Sequence, residues 1–202
     1  MGKILKRFDR ICIREWSISD SIQYSGIVGD PSVMKYIGNG STRGIEIAEK
    51  EILGFQAENA REGWSRWAVS LDDNGPLIGY AGFSRKFYGI DFGMRFARPY
   101  WGHPATYISC CLALEHGFEE AGLSEICTMT HPDHTRGLAF MKKLFSMKPI
   151  DEENELGRFQ MYVVSRQQYL KSEMNKNRKR MQEVLEIPEV LFDASPRLQL
   201  AA

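Results

Sequence analysis

Hydrophobic positions change their period several times along the chain, and each change marks an element. Within residues 8–16, Ile11 and Ile13 alternate with Cys12 and Arg14, a period of two that predicts a first half-buried strand. Ser17 and Ser19-Asp20 offer helix caps ahead of Ile18, Ile22, Ile27 and Val28, which predicts a short helix. Asp30 followed by Pro31 is a helix start and Gly38 a stop. Ser41-Thr42 open a further helix whose buried face is Ile45, Ala48, Ile52 and Phe55. Residues 67–71 and 77–83 flank the turn Asp72-Asp73-Asn74-Gly75-Pro76 and predict a hairpin. Residues 84–89 read as a loop, and residues 90–97 as a half-buried strand.

The chain is organised around residues 89–121, which hold that strand, a turn and a helix. Arg98-Pro99-Tyr100-Trp101-Gly102-His103-Pro104 is a punctuated turn, and from Ala105 the residues Ile108, Cys111, Leu112, Leu114 and Phe118 recur at helical spacing. A strand therefore feeds a tight turn that opens a helix. The first N–H groups of a helix have no partner within it, and the helix dipole favours negative charge there. The junction is either an ordinary connection or a site for a phosphate-bearing ligand. Beyond it come a short strand (125–130), a helix (137–144) and a last strand (159–165). Three antiparallel strands followed by helix, strand and helix predict an α+β class with a mixed sheet. Residues 169–187 read as a charged amphipathic helix. Leu170, Met174, Met181 and Val184 form its stripe, with Asn177 in the same row. This helix either meets a partner, as in a homodimer, or lies on its own domain. Pro188 ends it, and residues 192–202 are expected to be loosely ordered. The expected division is one domain over 1–168 and a helical extension and tail over 169–202.

Composition narrows the class. A chain of 202 residues suits one domain with a single large core. A formal net charge of zero argues against nucleic acid as the main partner. No run approaches the roughly 18 apolar residues that a membrane span requires. The N-terminal residues lack a signal-peptide core and a myristoylation signal, which makes the cytoplasm the expected location. Cys12, Cys110, Cys111 and Cys127 show no metal spacing and read as reduced and buried. His131 and His134 are three apart but lie across a proline-containing turn, and no nearby set completes four ligands, so no metal is expected.

The run from Asp91 to Thr106, DFGMRFARPYWGHPAT, resembles the GCN5-related N-acetyltransferase (GNAT) superfamily, in its ribosomal-protein alanine acetyltransferase branch. That branch commonly reads E-L-G-Y-x-L-x-P-x-Y-W-G-K-G-Y-A-T here. Three further stretches carry the likeness. Residues 30–38 match a D-P-E-V-M-x-Y-L-G run, and residues 67–83 a W-A-V…G-x-L-I-G-x-x-G-L run. Residues 131–144 match an H-P-x-N-x-x-S…L-x-K-L run. The chain departs from the pattern in several places. His103-Pro104 stand where Lys-Gly-Tyr is usual, which shortens the turn and removes an N–H. His134 stands for the usual Asn and Gly137 for the usual Ser.

The resemblance implies a mixed, mostly antiparallel sheet split near its middle, with helices on both faces. It also implies an acetyl-CoA-dependent N-acetyltransferase acting directly on a primary amine, either a protein N-terminus or a small molecule. The cofactor-binding residues it implies are Phe96, Ala97, Arg98, Trp101, Gly102, His103, Ala105, Thr106 and His134. Acyl transfer to an amine needs a base for the amine's proton and a donor for the carbonyl oxygen. Asp91 is the candidate base, the backbone N–H of Phe96 or Ala97 the candidate donor, and Tyr162 the candidate acid. His103 is expected to meet a phosphate as a cation, and His134 to hydrogen-bond the cofactor in place of Asn. Trp64, Trp67 and Phe83 fall near the expected acceptor groove and either line it or join the core. The departures also admit a second reading: a catalytically degenerate relative that acts as a binding or interaction module.

Overall fold

The computed structural model describes residues 2–145, 147–154, 157–172 and 175–176. Eight strands form one sheet: β1 (Ile4–Phe8), β2 (Ile11–Arg14), β3 (Arg66–Leu71), β4 (Leu77–Lys86), β5 (Gly89–Phe96), β6 (Glu125–Thr130), β7 (Ile150–Asn154) and β8 (Gly157–Ser165). Their order is β1-β2-β3-β4-β5-β6-β8-β7. Every neighbouring pair is antiparallel except β5 and β6.

Two apolar layers cover the two faces. Helices α1 (Ser21–Val28), α2 (Pro31–Met34) and α3 (Ile45–Glu62) pack Tyr24, Val33, Met34, Ile52 and Phe55 against Ala68 and Tyr80. Helices α4 (Pro104–Glu115) and α5 (Thr135–Phe145) pack Ile108, Leu112, Met141 and Phe145 against Trp67, Phe83, Phe92 and Tyr162 on the other face. Strand alternation explains the division: Phe92, Met94 and Phe96 face α4 and α5, so Asp91, Gly93 and Arg95 face α3. After α4 the helix widens into a π turn over His116–Glu120. Gly117 sits there because a side chain would collide with the Phe83 ring. Trp64, Trp67 and Phe83 are all core residues.

Several boundaries differ from those the sequence predicts. The first strand is not residues 8–16, because Asp9 takes a positive φ of 51° and turns the chain between β1 and β2. Residues 84–86 extend β4 instead of forming a loop, leaving a turn at Phe87-Tyr88. Helix α3 begins at Ile45 under Gly44, three residues after Ser41-Thr42. The expected domain boundary at 168/169 falls inside α6 (Arg166–Lys171), whose Tyr169 is buried and stacks on Phe118 at 4.7 Å. That helix is capped at Ser172. Asn175 and Lys176 apart, the remainder of the expected extension, with Met174, Met181 and Val184, lies outside the described residues. All four cysteines are buried, and none of them is in a disulfide. Among the described residues no cluster could hold a metal ion, and no helix is long and apolar enough to cross a membrane.

Candidate active site

The sheet opens where its one parallel pair begins. Strands β5 and β6 share a single paired position, Asp91 opposite Cys127, and part beyond it. The β4–β5 ladder is regular throughout, pairing Gly79 with Phe96 and Tyr80 with Arg95. The Ala97 N–H donates to the Ile78 carbonyl at 2.9 Å. Ladder groups alternate between a strand's two edges, so the Met94 and Phe96 N–H groups turn towards β6. This separates the two candidate donors: Ala97 has spent its N–H on β4, while that of Phe96 faces the opening. The Phe96 carbonyl accepts from Trp101 Nε1 at 2.9 Å, which closes the end of the gap.

The turn beyond β5 is bonded to itself. Gly102 has φ +80°, a conformation that glycine adopts freely. The His103 N–H and the Thr106 hydroxyl both donate to the Tyr100 carbonyl, at 3.1 and 2.7 Å. His103 is the N-cap of α4: its Nδ1 accepts from the Ala105 N–H at 3.1 Å, and its carbonyl accepts from Thr106 N–H at 3.1 Å. Pro104 has no N–H to offer. His103 therefore serves as the N-cap of α4 through its Nδ1. Ala105 and Thr106 are buried and serve the turn itself. Arg98 and Arg136 bring positive charge to the turn. Arg98 lies 3.5 Å from Asp30, and the Arg136 guanidinium lies over the Trp101 ring at 5.2 Å. Sequence reasoning missed Arg136, whose approach to Trp101 depends on α5 lying beside the turn.

Across the opening, the chain folds an aromatic corner. The Tyr36 ring, in the loop after α2, stacks on His134 at 4.6 Å and lies 5.5 Å from His131. Burial lowers the His134 pKa, and the charges of Arg136 and His131 lower it further. The ring rests against Gly137, where an added Cβ would come within 2.5 Å of Nδ1. The two departures from the family pattern are thus one packing arrangement.

On the α3 face a chain of charges runs beneath the helix. Arg66 Nη2 donates to Asp91 Oδ2 at 2.8 Å. Gly93 makes room for that guanidinium, since a Cβ there would meet Arg66 Nε at 2.7 Å. Arg95 Nη1 donates to the Tyr24 hydroxyl at 2.7 Å and to Glu51 Oε2 at 3.2 Å. Tyr24 also donates to Glu51 at 2.7 Å, and Arg43 pairs with Glu51. Arg66 and Arg95 both lie over the Tyr80 ring, at 5.6 and 5.3 Å. Burial pushes the Asp91 carboxyl above the ordinary carboxylate range, with Arg66 pulling the other way. Burial would also raise Tyr80, but Arg95 and Arg66 outweigh it and bring the phenol down. Asp91 is therefore a paired carboxylate that is more basic than an exposed one. Tyr162, the expected acid, is only 2% exposed and packs on Phe145 at 5.8 Å. Its place in the core gives it a packing role, and burial raises its pKa.

A family model described as an acetyltransferase (GNAT) domain matches residues 10–144. A curated relative, the uncharacterized N-acetyltransferase YnaD of Bacillus subtilis, is 27% identical over 154 residues, covering 72% of this chain and 88% of that protein. Among solved structures, RimJ of Mycobacterium smegmatis in complex with CoA-disulfide aligns with a TM-score of 0.68 at 14% identity, over 82% of this chain and 87% of that one. A GNAT-family acetyltransferase from Bacillus anthracis aligns with a TM-score of 0.66 at 20% identity, over 82% and 98%. The ribosomal-protein-S5-alanine acetyltransferase of Vibrio fischeri aligns with a TM-score of 0.66 at 12% identity, over 80% and 96%. At these identities the structural likeness concerns the fold.

Proposed function

The chain belongs to the acetyltransferase (GNAT) family of acyl-CoA-dependent N-acetyltransferases, and on that premise we propose that it passes an acetyl group directly from acetyl-CoA to a primary amine. The carrying observation is the parting of β5 and β6 beyond Asp91 and Cys127. That parting leaves strand-edge N–H groups, Phe96 above all, facing an opening with a basic carboxylate at its vertex. Residues present on both walls suit a CoA co-substrate. The Met94 and Phe96 amides match the amide-rich arm, while Arg136, Arg98 and the Gly102 turn supply a cationic end for phosphates.

The thioester supplies the acetyl group, and the protein's residues handle orientation and protons. Asp91, directly or through a water, takes a proton from the amine, which must be neutral to attack. The Phe96 N–H donates to the carbonyl oxygen as it gains charge. The acyl carbon forms its bond to nitrogen as the carbon–sulfur bond breaks, and the thiolate leaves with a proton drawn from solvent. His134, stacked under Tyr36, stands at the position of the usual Asn.

Calorimetry with acetyl-CoA tests the first half of this reading, and release of free thiol with a panel of primary amines tests the second. Heat of binding and amine-dependent thiol release are the expected results. The self-bonded turn at His103 favours a second reading, a binding module without catalysis. An absence of heat and of any thermal shift at millimolar acetyl-CoA selects that reading.

A further inference from the structure

The charges on the α3 face do not balance. Among the described residues, Arg43, Arg66 and Arg95 form ion pairs with Asp91 and Glu51 alone, so three guanidiniums meet two carboxylates. The shortfall is also visible atom by atom. The Nε groups of Arg66 and Arg95 are buried with no hydrogen-bond partner among the described residues. A buried guanidinium N–H left unpaired is costly, more so than a neutral one. Depth is graded across the cluster. The Arg95 side chain is 5% exposed, while Arg43 and Glu51 at the rim are 24% and 21% exposed.

We infer that this cluster is a carboxylate-binding subsite, and that the amine acceptor is a small, amino-acid-like molecule whose acid group docks on Arg95 and Arg66. The inference rests on the acyltransferase reading, because it assigns the α3 face of β5 to the acceptor. A planar carboxylate matches the fork of a guanidinium and accepts two N–H bonds. Bound there, it supplies the missing negative charge. Arg66 touches Asp91 at 2.8 Å, so an acid on these arginines brings a nearby amine towards the candidate base. The Tyr80 ring, held between the two arginines, fixes both guanidiniums in place.

Glutarate, a dicarboxylate with no amine, is the first probe, and glutaramide is its uncharged control. On the full chain, glutarate should raise the unfolding midpoint at about 10 mM while glutaramide leaves it unmoved. Arg43→Gln at the rim should weaken the glutarate response at least about threefold, and Arg95→Gln, if folded by circular dichroism, should abolish it. Turnover should prefer β-alanine to β-alaninamide by about tenfold or more in kcat/KM. Equal responses to glutarate and glutaramide would overturn the inference. So would a glutarate affinity that survives both substitutions, which would place its binding elsewhere on the molecule. Acetyl-CoA binding, measured on the same samples, separates the two claims. Bound acetyl-CoA without a glutarate response sinks the subsite alone. A glutarate response without acetyl-CoA binding sustains the subsite and sinks the acyltransferase reading.

Discussion

The His134 imidazole lies against the α-carbon of Gly137, so closely that a Cβ there would meet Nδ1 at 2.5 Å. The same ring stacks on Tyr36 at 4.6 Å and ties the loop after α2 to the start of α5. The two positions therefore behave as a pair, and restoring only one of them to the family pattern breaks the arrangement.

Gly137→Ser alone forces the ring off its seat, and the chain loses about 1 kcal/mol of stability. His134→Asn alone loses the stack and leaves space above Gly137. The double variant should be more stable than the two single losses predict. Urea denaturation of the four proteins measures this as a coupling of about 1 kcal/mol. Strictly additive losses would show that the positions are independent.

The same histidine should make stability depend on pH. Burial, and then Arg136 and His131, hold His134 below the ordinary imidazole value of 6.5. Below about 6.5 the unfolded chain binds the proton before the native one does, so stability rises with pH in this window. The contribution is present above that value and is lost as pH falls towards the folded value. Denaturation midpoints should decline between pH 7 and 5, and decline less in the His134→Asn/Gly137→Ser double variant. Equal slopes in the two proteins would remove His134 from the account.

For Asp91 the prediction concerns catalysis. Asp91→Asn should lower kcat/KM by about a hundredfold and remove the acidic limb of its pH profile. Arg66→Met removes the cation that opposes burial, so the acidic limb should move to higher pH. It should also destabilise the fold by about 3 kcal/mol, because it leaves a buried carboxylate unpaired. A profile unchanged in both variants would exclude Asp91 as the base.

At the turn beyond β5, replacing Arg136 and replacing His103 should have different effects. Arg136→Ala removes a cation beside the turn and should weaken acetyl-CoA binding by about tenfold, with a shallower dependence on salt. His103→Ala removes a helix cap and should cost about 1 kcal/mol of stability. It also releases the Ala105 N–H, so acetyl-CoA should bind no more weakly than before. Calorimetry of both variants checks this, and a weakened His103→Ala protein would mean that the imidazole itself meets the ligand.

Much of this fold is legible in the sequence, because its central elements have long, unmixed periods. The hairpin around Asp72–Pro76, the strand before Arg98 and the helix after Pro104 all follow from spacing and turn residues. Strand β7 does not, since Ile-Asp-Glu-Glu-Asn at a sheet edge carries one hydrophobic residue and three acids. Strand β1 lies ahead of the strand read over residues 8–16 and shares only Phe8 with it, the turn at Asp9 dividing the two. The amide opening and the cap at His103 are only half visible. Which N–H of Phe96 and Ala97 faces inwards depends on register with β4, and a ring nitrogen's partner depends on the folded geometry of the turn. The arginine cluster draws on α1, α3 and three strands, and only the topology assembles it. One local signal exists: Asp91 and Arg95 share a strand face opposite Phe92, Met94 and Phe96, so both charges are due to lie beneath something.

That β5 and β6 are joined at only one paired position has a mechanical consequence. Strands β1–β5 zip together as successive antiparallel neighbours, while β6–β8 form a second antiparallel ribbon joined to them at that one position and through helix packing. Amide exchange should therefore resolve two cooperative blocks, with the C-terminal ribbon releasing its protons first. A ligand spanning the seam would bolt the blocks together and slow the earlier-exchanging one towards the pace of the other.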